Sequence, residues 1–151
     1  MNAHAYDLTN PRAAFAAIDT ERKRLKLPIS AVEASAKVAS NSFYSWLKLE
    51  RSPTIRKIAP TAKAFGFALV VRKGAAEFDL SDQCAAMTAL DDERGAMGMS
   101  LGDMEDKSGV SVNSFYYWKS GKRSPQLVNL VALAQTLGFE VIMRRALPSP
   151  K

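Results

Sequence analysis

Displaced by 72 positions, the chain aligns with itself without a gap, and this periodicity limits what it can fold into more than any other feature. NSFYSW (41–46) falls on NSFYYW (113–118), Arg51-Ser52-Pro53 on Arg123-Ser124-Pro125, and Gly66-Phe67 on Gly138-Phe139. The register runs back through Asp7-Leu8 against Asp79-Leu80, Ala13-Ala14 against Ala85-Ala86 and Glu21-Arg22 against Glu93-Arg94. Residues 2–73 match 74–145 with 23 identities in 72. Shared helical periodicity alone would not bring Trp, Pro and Gly into register together. The chain therefore reads as a tandem duplication, with repeats 2–73 and 74–145 and a tail 146–151.

Each repeat carries the same local signals. Asn10 before Pro11, and Asp82 at the matching place, are N-cap candidates for a first helix with an apolar face of Phe15, Ile18 and Leu25, or Met87, Leu90 and Met97. A short second helix begins near Pro28 or Ser100 and sets Ile29 with Val32, or Leu101 with Met104, on one side. The third helix carries Phe43 and Trp46, or Phe115 and Trp118, three apart. Pro53 or Pro125 opens a fourth helix that ends at Gly66 or Gly138 as its left-handed cap. FALVVRK (67–73) and FEVIMRR (139–145) close the repeats as strands, being β-branched and aromatic with two-residue alternation.

Composition excludes several function classes. With 47% apolar and 24% charged residues the chain is a folded, globular one. One cysteine, Cys84, permits neither an intramolecular disulfide nor a cysteine-ligated zinc cluster, and the single histidine, His4, lies close to the terminus. No catalytic constellation, metal site or cofactor is expected, so the chain is read as a non-enzyme. Cys84 itself reads as a small filler on the first helix of the second repeat. The start, MNAHAYDLTN, lacks the basic and apolar regions of a signal peptide, and no stretch suits a membrane span, so a cytoplasmic protein is expected. A net charge of +6 and a pI near 9.6 favour an anionic partner such as nucleic acid or an acidic membrane surface, and charge alone does not choose between them.

The stretch SLGDMEDKSGVSVNSFYYWKSGKRSPQLVNLVALAQTLGFEVIMRR (100–145) resembles the lambda-repressor-like, Cro-type (XRE) helix-turn-helix family of bacterial and phage regulators. Met104 on the second helix, Gly109-Val110-Ser111 at the turn, Phe115 and Trp118 on the third helix, Gly121 and Pro125 carry the likeness, and the first repeat shares it more weakly. The resemblance implies that the exposed start of the third helix meets base edges in a major groove. By position these residues are Val112, Asn113 and Tyr117, and Ser40, Asn41 and Ser45. Asn can pair with adenine through N6 and N7, and Val can pack on a thymine methyl. Capping of the third helix is the competing role for Asn41 and Asn113. Ser42, Tyr44, Ser114 and Tyr116 are expected on phosphate, as are Arg51 and Ser52 and Lys122, Arg123 and Ser124 on the loop after the helix, where cations and amides fix register. A solvated loop is the alternative there. Trp46 and Trp118, each three residues after a core Phe, read as core rather than base-stacking platforms.

The first repeat departs from the family pattern. Lys37 replaces the turn Gly, Leu49 the loop Gly, and Pro60 falls inside the fourth helix, where a kink or break near Ala59 is expected. Both repeats carry Glu, at 33 and 105, where the family has a small residue. Charge runs the other way: residues 19–73 hold 12 Lys or Arg and 4 acids (12 − 4 = +8), whereas 91–145 hold 7 of each, for zero. One account has the second repeat reading bases while the first attracts phosphate.

The expected fold is mainly α, two tandem helix-turn-helix repeats each ending in a strand. Phe67, Leu69, Val71 and Phe139, Val141, Met143 are expected to form the covered face of an antiparallel pair, with Ala68, Val70, Arg72 and Glu140, Ile142, Arg144 opposite. Tyr6-Asp7-Leu8 and Phe78-Asp79-Leu80 would lie beside it. That arrangement makes the chain a covalent pseudo-dimer; two tethered beads are the alternative. The function this implies is sequence-specific binding of double-stranded DNA, over an imperfect palindrome, by a transcriptional regulator of bacterial, phage or mobile-element origin, nucleoid-associated and monomeric or homodimeric. The other reading is a protein-interaction module, an anti-activator or antitoxin, that uses the same fold to bind another regulatory protein.

Overall fold

A computed structural model describes residues 5–146; His4 and the tail from Leu147 lie outside the described residues. Eight helices and four strands are present among them. In chain order these are β1 (Ala5–Asp7), α1 (Arg12–Arg24), α2 (Ser30–Ala36), α3 (Ser40–Leu47), α4 (Ile55–Ala64), β2 (Phe67–Lys73), β3 (Ala76–Asp79), α5 (Gln83–Ala96), α6 (Leu101–Ser108), α7 (Val112–Ser120), α8 (Leu127–Thr136) and β4 (Glu140–Arg145). The strands form one antiparallel sheet in the order β1-β4-β2-β3. No helix among the described residues is long and apolar enough to cross a membrane.

The central pair of this sheet sets the relation between the two halves of the chain. β2 and β4 run antiparallel with Leu69 opposite Met143, Val71 opposite Val141, and Val70 opposite Ile142, its own counterpart 72 residues on. Phe67, Leu69, Val71, Phe139, Val141 and Met143 are buried against the helices, as alternation requires. On the opposite face Val70 and Ile142 are buried too. Ion pairs on that face explain it: Arg144 on β4 reaches across β2 to Glu77 on β3 (2.5 Å), and Arg72 pairs with Glu140 (3.2 Å). The extended segments join at the sides, Tyr6 opposite Met143 and Phe78 opposite Val71. Gly74 and Ala75 make the connection between the halves a hairpin turn.

A second set of contacts joins the halves at the heads of α4 and α8. Neither helix has a side-chain cap of its own, since the Thr54 and Gln126 side chains at the N-cap positions make no capping bond. The repeated Arg-Ser-Pro segment supplies the caps reciprocally. Ile55 N–H donates to the Pro125 carbonyl (2.8 Å) and Arg56 N–H to Ser124 Oγ (2.9 Å). Leu127 N–H donates to the Pro53 carbonyl (2.7 Å) and Val128 N–H to Ser52 Oγ (3.0 Å). Two of the four donors left free at each helix start are thereby satisfied from the other half. Thr54 and Gln126, again 72 apart, form the bridge between these clasps. Pro53 and Pro125 thus stand two residues before their helices and serve through their carbonyls, rather than opening the helices as expected.

Other boundaries also need correction. Pro11, not Asn10, occupies the N-cap position of α1, and no side chain caps that helix; Asp7 organises the turn instead, its carboxylate accepting from Thr9 N–H (2.9 Å). Asp82 does cap α5, accepting from Ala85 N–H (3.1 Å). Leu25 and Met97 lie exposed just past α1 and α5, where the chain turns through left-handed residues, and not on the apolar face. Cys84 is exposed in the first turn of α5 rather than filling the core. The helix α4 continues through Pro60 without the expected break. Pro60 is exposed in the second turn, so its ring displaces one bond whose acceptor, on exposed Arg56, can turn to water.

Left-handed backbone recurs at matching places. Gly98, Gly109 and Gly121 have φ of 69°, 77° and 81°, and their counterparts Lys26, Lys37 and Leu49 have φ of 59°, 55° and 59°. The backbone path is kept in the first half although glycine is absent, at a cost of about 1–2 kcal/mol per residue.

Two expectations follow for stability. Ser52→Ala and Ser124→Ala should each lower the unfolding free energy by about 1 kcal/mol, read by urea denaturation, because each uncaps a helix in the opposite half. Lys37→Gly should raise it by up to about 1 kcal/mol, the relieved strain exceeding the extra entropy of an unfolded glycine.

Candidate nucleic-acid interface

The turn between α6 and α7 is built from local chemistry. Gly109 ends α6 in the left-handed conformation, Val110 is buried behind it, and Ser111 caps α7 by accepting from Ser114 N–H (3.0 Å). Phe115 and Trp118 anchor the inner face of α7, so Val112, Asn113, Tyr116 and Tyr117 turn outward to differing degrees. In the first half Ala39 takes the place of Ser111 and provides no cap for α3. Phe43 and Trp46 are buried, edge to face at 6.1 Å, and Phe15 packs on Trp46 at 6.4 Å. Both Trp residues are thus core, in line with their spacing.

Glu33 and Glu105 have a role that the sequence reading missed. The Glu105 carboxylate accepts from Val112 N–H (2.8 Å), and the Glu33 carboxylate accepts from the Ser40 hydroxyl (2.7 Å). Glu105 thereby satisfies an orphan backbone donor, and both carboxylates meet the positive end of a helix dipole. The longer side chain therefore ties the second helix to the third in each half, where a small residue would only allow close approach.

The expected base-reading residues divide by exposure. Asn41, Asn113 and Tyr117 are exposed, while Ser40, Ser45 and Val112 are half-buried. Neither Asn side chain makes a capping bond in α3 or α7. Tyr117 is flanked by Lys122 and Arg123, whose cations lie 5.2 and 5.0 Å from the ring centre. The ring thereby orients the loop cations. Of the residues expected on phosphate, Tyr44, Tyr116, Arg51, Lys122 and Arg123 are exposed, and Ser42 and Ser114 half-buried. Ser114 Oγ accepts from Ser111 Oγ (2.9 Å). Ser52 and Ser124 spend their acceptor capacity on the reciprocal caps and keep a hydroxyl hydrogen to donate.

Two further cations join the first half's surface. Lys37, Ser42, Arg51, Lys57 and Gln126 line a concave surface of about 720 Å³ between α3 and the head of α4. Lys57 donates to the Lys37 carbonyl (3.4 Å). Position 129 is Asn where the first half has Lys57, and Gly109 stands for Lys37, so the matching surface of α7 and α8 lacks both charges. The α6 surface instead exposes Asp103, Glu105 and Asp106.

α7 is held in place from α5. Lys119 donates to Asp91 (2.6 Å), which also accepts from Arg94 (2.9 Å), and Gln83 donates to the carbonyls of Trp118 (2.9 Å) and Arg123 (2.8 Å). Partial burial pushes the Asp91 carboxyl up, but the bonds from Lys119 and Arg94 outweigh it and hold the group below its usual value of 3.8. A depressed carboxylate contributes stability above its unfolded pKa and loses it as pH falls. Asp91→Asn should therefore cost about 1 kcal/mol at pH 7, and the difference from wild type should shrink as pH drops below about 4, followed by thermal melts across pH.

The sequence model of a helix-turn-helix family, of the lambda-repressor-like type, matches residues 90–141. That segment runs from the middle of α5 through α6, α7 and α8 into β4. Neither the curated proteins nor the solved structures contain a match to the chain. The family is one of DNA-binding regulators, and the turn, the cap and the outward side of α7 described above all lie inside the matched segment.

Proposed function

We propose that this chain is a sequence-specific double-stranded DNA-binding regulator of transcription, in which one polypeptide serves as a covalent pseudo-dimer of two duplicated helix-turn-helix units, 2–73 and 74–145. The observation that carries the reading is α7, which turns Asn113 and Tyr117 outward from a capped helix within the family-matched segment. The reciprocal caps and the register that sets Val70 opposite Ile142 support the pseudo-dimer, because contacts between positions 72 apart are those of a two-fold axis. Such an axis would direct α3 and α7 to successive major grooves of an imperfect palindrome, about 34 Å apart. The half-sites would differ, since Ser40 and Ser45 meet one and Val112 and Tyr117 the other. Lys37, Arg51 and Lys57 supply general phosphate attraction from the first half, while Asn113 reads adenine from the second. The setting is the cytoplasm of a bacterial cell, on the nucleoid or a mobile element.

The acidic α6 surface favours a second reading. Asp103, Glu105 and Asp106 beside α7 repel phosphate, which suits an anti-activator or antitoxin whose partner is another regulatory protein.

Binding to random duplexes across salt, followed by selection of bound sequences, separates the two. DNA contact through Z phosphates gives a slope near −0.9Z in log K against log salt, and the protein-binding module gives no duplex affinity. Asn113→Ala should cost about 1–3 kcal/mol on the selected site and relax one base pair. Arg123→Ala should weaken all sequences alike and reduce the slope by about one. Equal losses on selected and random DNA for both variants would overturn these roles.

A further inference from the structure

A cavity of about 200 Å³ lies between the halves, under the loop that follows α3. Phe15, Leu127 and Val131 form its floor and are buried. Leu49 and Val128 stand at its mouth, 38% and 58% exposed. The fold requires neither. Leu49 holds a left-handed backbone conformation where its counterpart is Gly121, and Val128 occupies the place of Arg56, a polar residue suited to an exposed first helical turn. The counterpart cleft shows what the position looks like without them: it is wider, about 390 Å³, and adds Arg56, Lys63 and Gln83 to an apolar lining that includes Ile55, Ala59 and Leu80. Arg56 there donates to the Gly121 carbonyl (3.0 Å) and Gln83 to the carbonyls of Trp118 and Arg123. The two related places differ at the mouth, where one carries Arg56 and Lys63 and the other Leu49 and Val128.

Polar groups at the rim of the apolar cavity define the ligand. Arg51 lines it, exposed, and makes no ion pair among the described residues. Ser52 lines it too, with its oxygen accepting from Val128 N–H and its hydrogen free to donate. A guanidinium and a hydroxyl donor above an apolar floor match a carboxylate on a compact apolar group. We propose that this cavity is a binding site for a small monocarboxylic acid with an aromatic or short aliphatic body. The carboxylate meets Arg51 and Ser52, and the body enters between Leu49 and Val128 toward Phe15. A cavity of this size takes a fragment-sized molecule. The site goes beyond the DNA reading, and its test contains no DNA.

Titration of the isotopically labelled full chain with 4-phenylbutyrate, followed by amide NMR shifts, tests the assignment. Saturable shifts are expected at Leu8, Thr9, Leu49 to Ser52 and Leu127 to Val131. Val128→Arg copies the counterpart cleft and should weaken binding about tenfold or more. Leu49→Gly relieves backbone strain, so it keeps the fold while removing one wall, and it should weaken binding as well. Arg51→Gln should cost about threefold to tenfold for 4-phenylbutyrate and nothing for 4-phenylbutanol. No saturable shift, shifts elsewhere, or binding undiminished in both Val128→Arg and Leu49→Gly overturns the site. Equal affinity for acid and alcohol overturns the carboxylate assignment. Shifts at these amides that depend on protein concentration alone, with a dimer in sedimentation, place a second copy in the cavity and overturn the proposal.

Discussion

Everything else in the molecule is arranged around the exchange of helix caps between its halves. Each Arg-Ser-Pro segment gives a carbonyl and a hydroxyl oxygen to the first N–H groups of the opposite fourth helix. A helix start left without partners is costly when partly buried, so neither α4 nor α8 is complete without the other half. The same segment leads out of α3 or α7. The third helix of one half, the loop that follows it and the cap of the other half are therefore fixed together.

The sheet closes the second side of this frame. β2 and β4 alone would leave two unpaired edges, and β1 and β3 cover them, each donated to the strand of the other half. The linker between halves is a hairpin, which leaves no slack for independent motion. Two arginine–glutamate pairs lie over Val70 and Ile142 on the outer face, so the hydrophobic centre of the sheet is shielded on both sides.

Within this frame the halves differ in a consistent direction. The second has glycine at three left-handed positions, a serine cap on α7 and a glutamine that holds the loop after it. The first follows the same backbone path with Lys26, Lys37 and Leu49, and carries Lys37 and Lys57 where the second has Gly109 and Asn129. Strain tolerated in one half is compensated by packing shared with the other, since the core is continuous across the sheet.

The sequence alone determined the element order, the strands, most of the core faces and the left-handed caps at Gly66 and Gly138, because these are set by local pattern and by residues such as Ser111 and Phe115 whose physics is short-range. The exposed start of α7 was legible for the same reason, as the inward anchors Phe115 and Trp118 define the outward side. Tertiary structure decided what depends on partners distant in the chain. Ser52 and Ser124 read as loop residues, and only the meeting of positions 76 and 68 residues apart makes them caps. Glu33 and Glu105 read only as departures from a small residue, and the crossing of two helices aims their carboxylates at the next helix start. Pro60 read as a break, yet exposure of the freed carbonyl in the second turn lets α4 continue. A one-dimensional pattern records which side of an element is apolar, whereas the partner of a polar atom is set by the folded path of another segment.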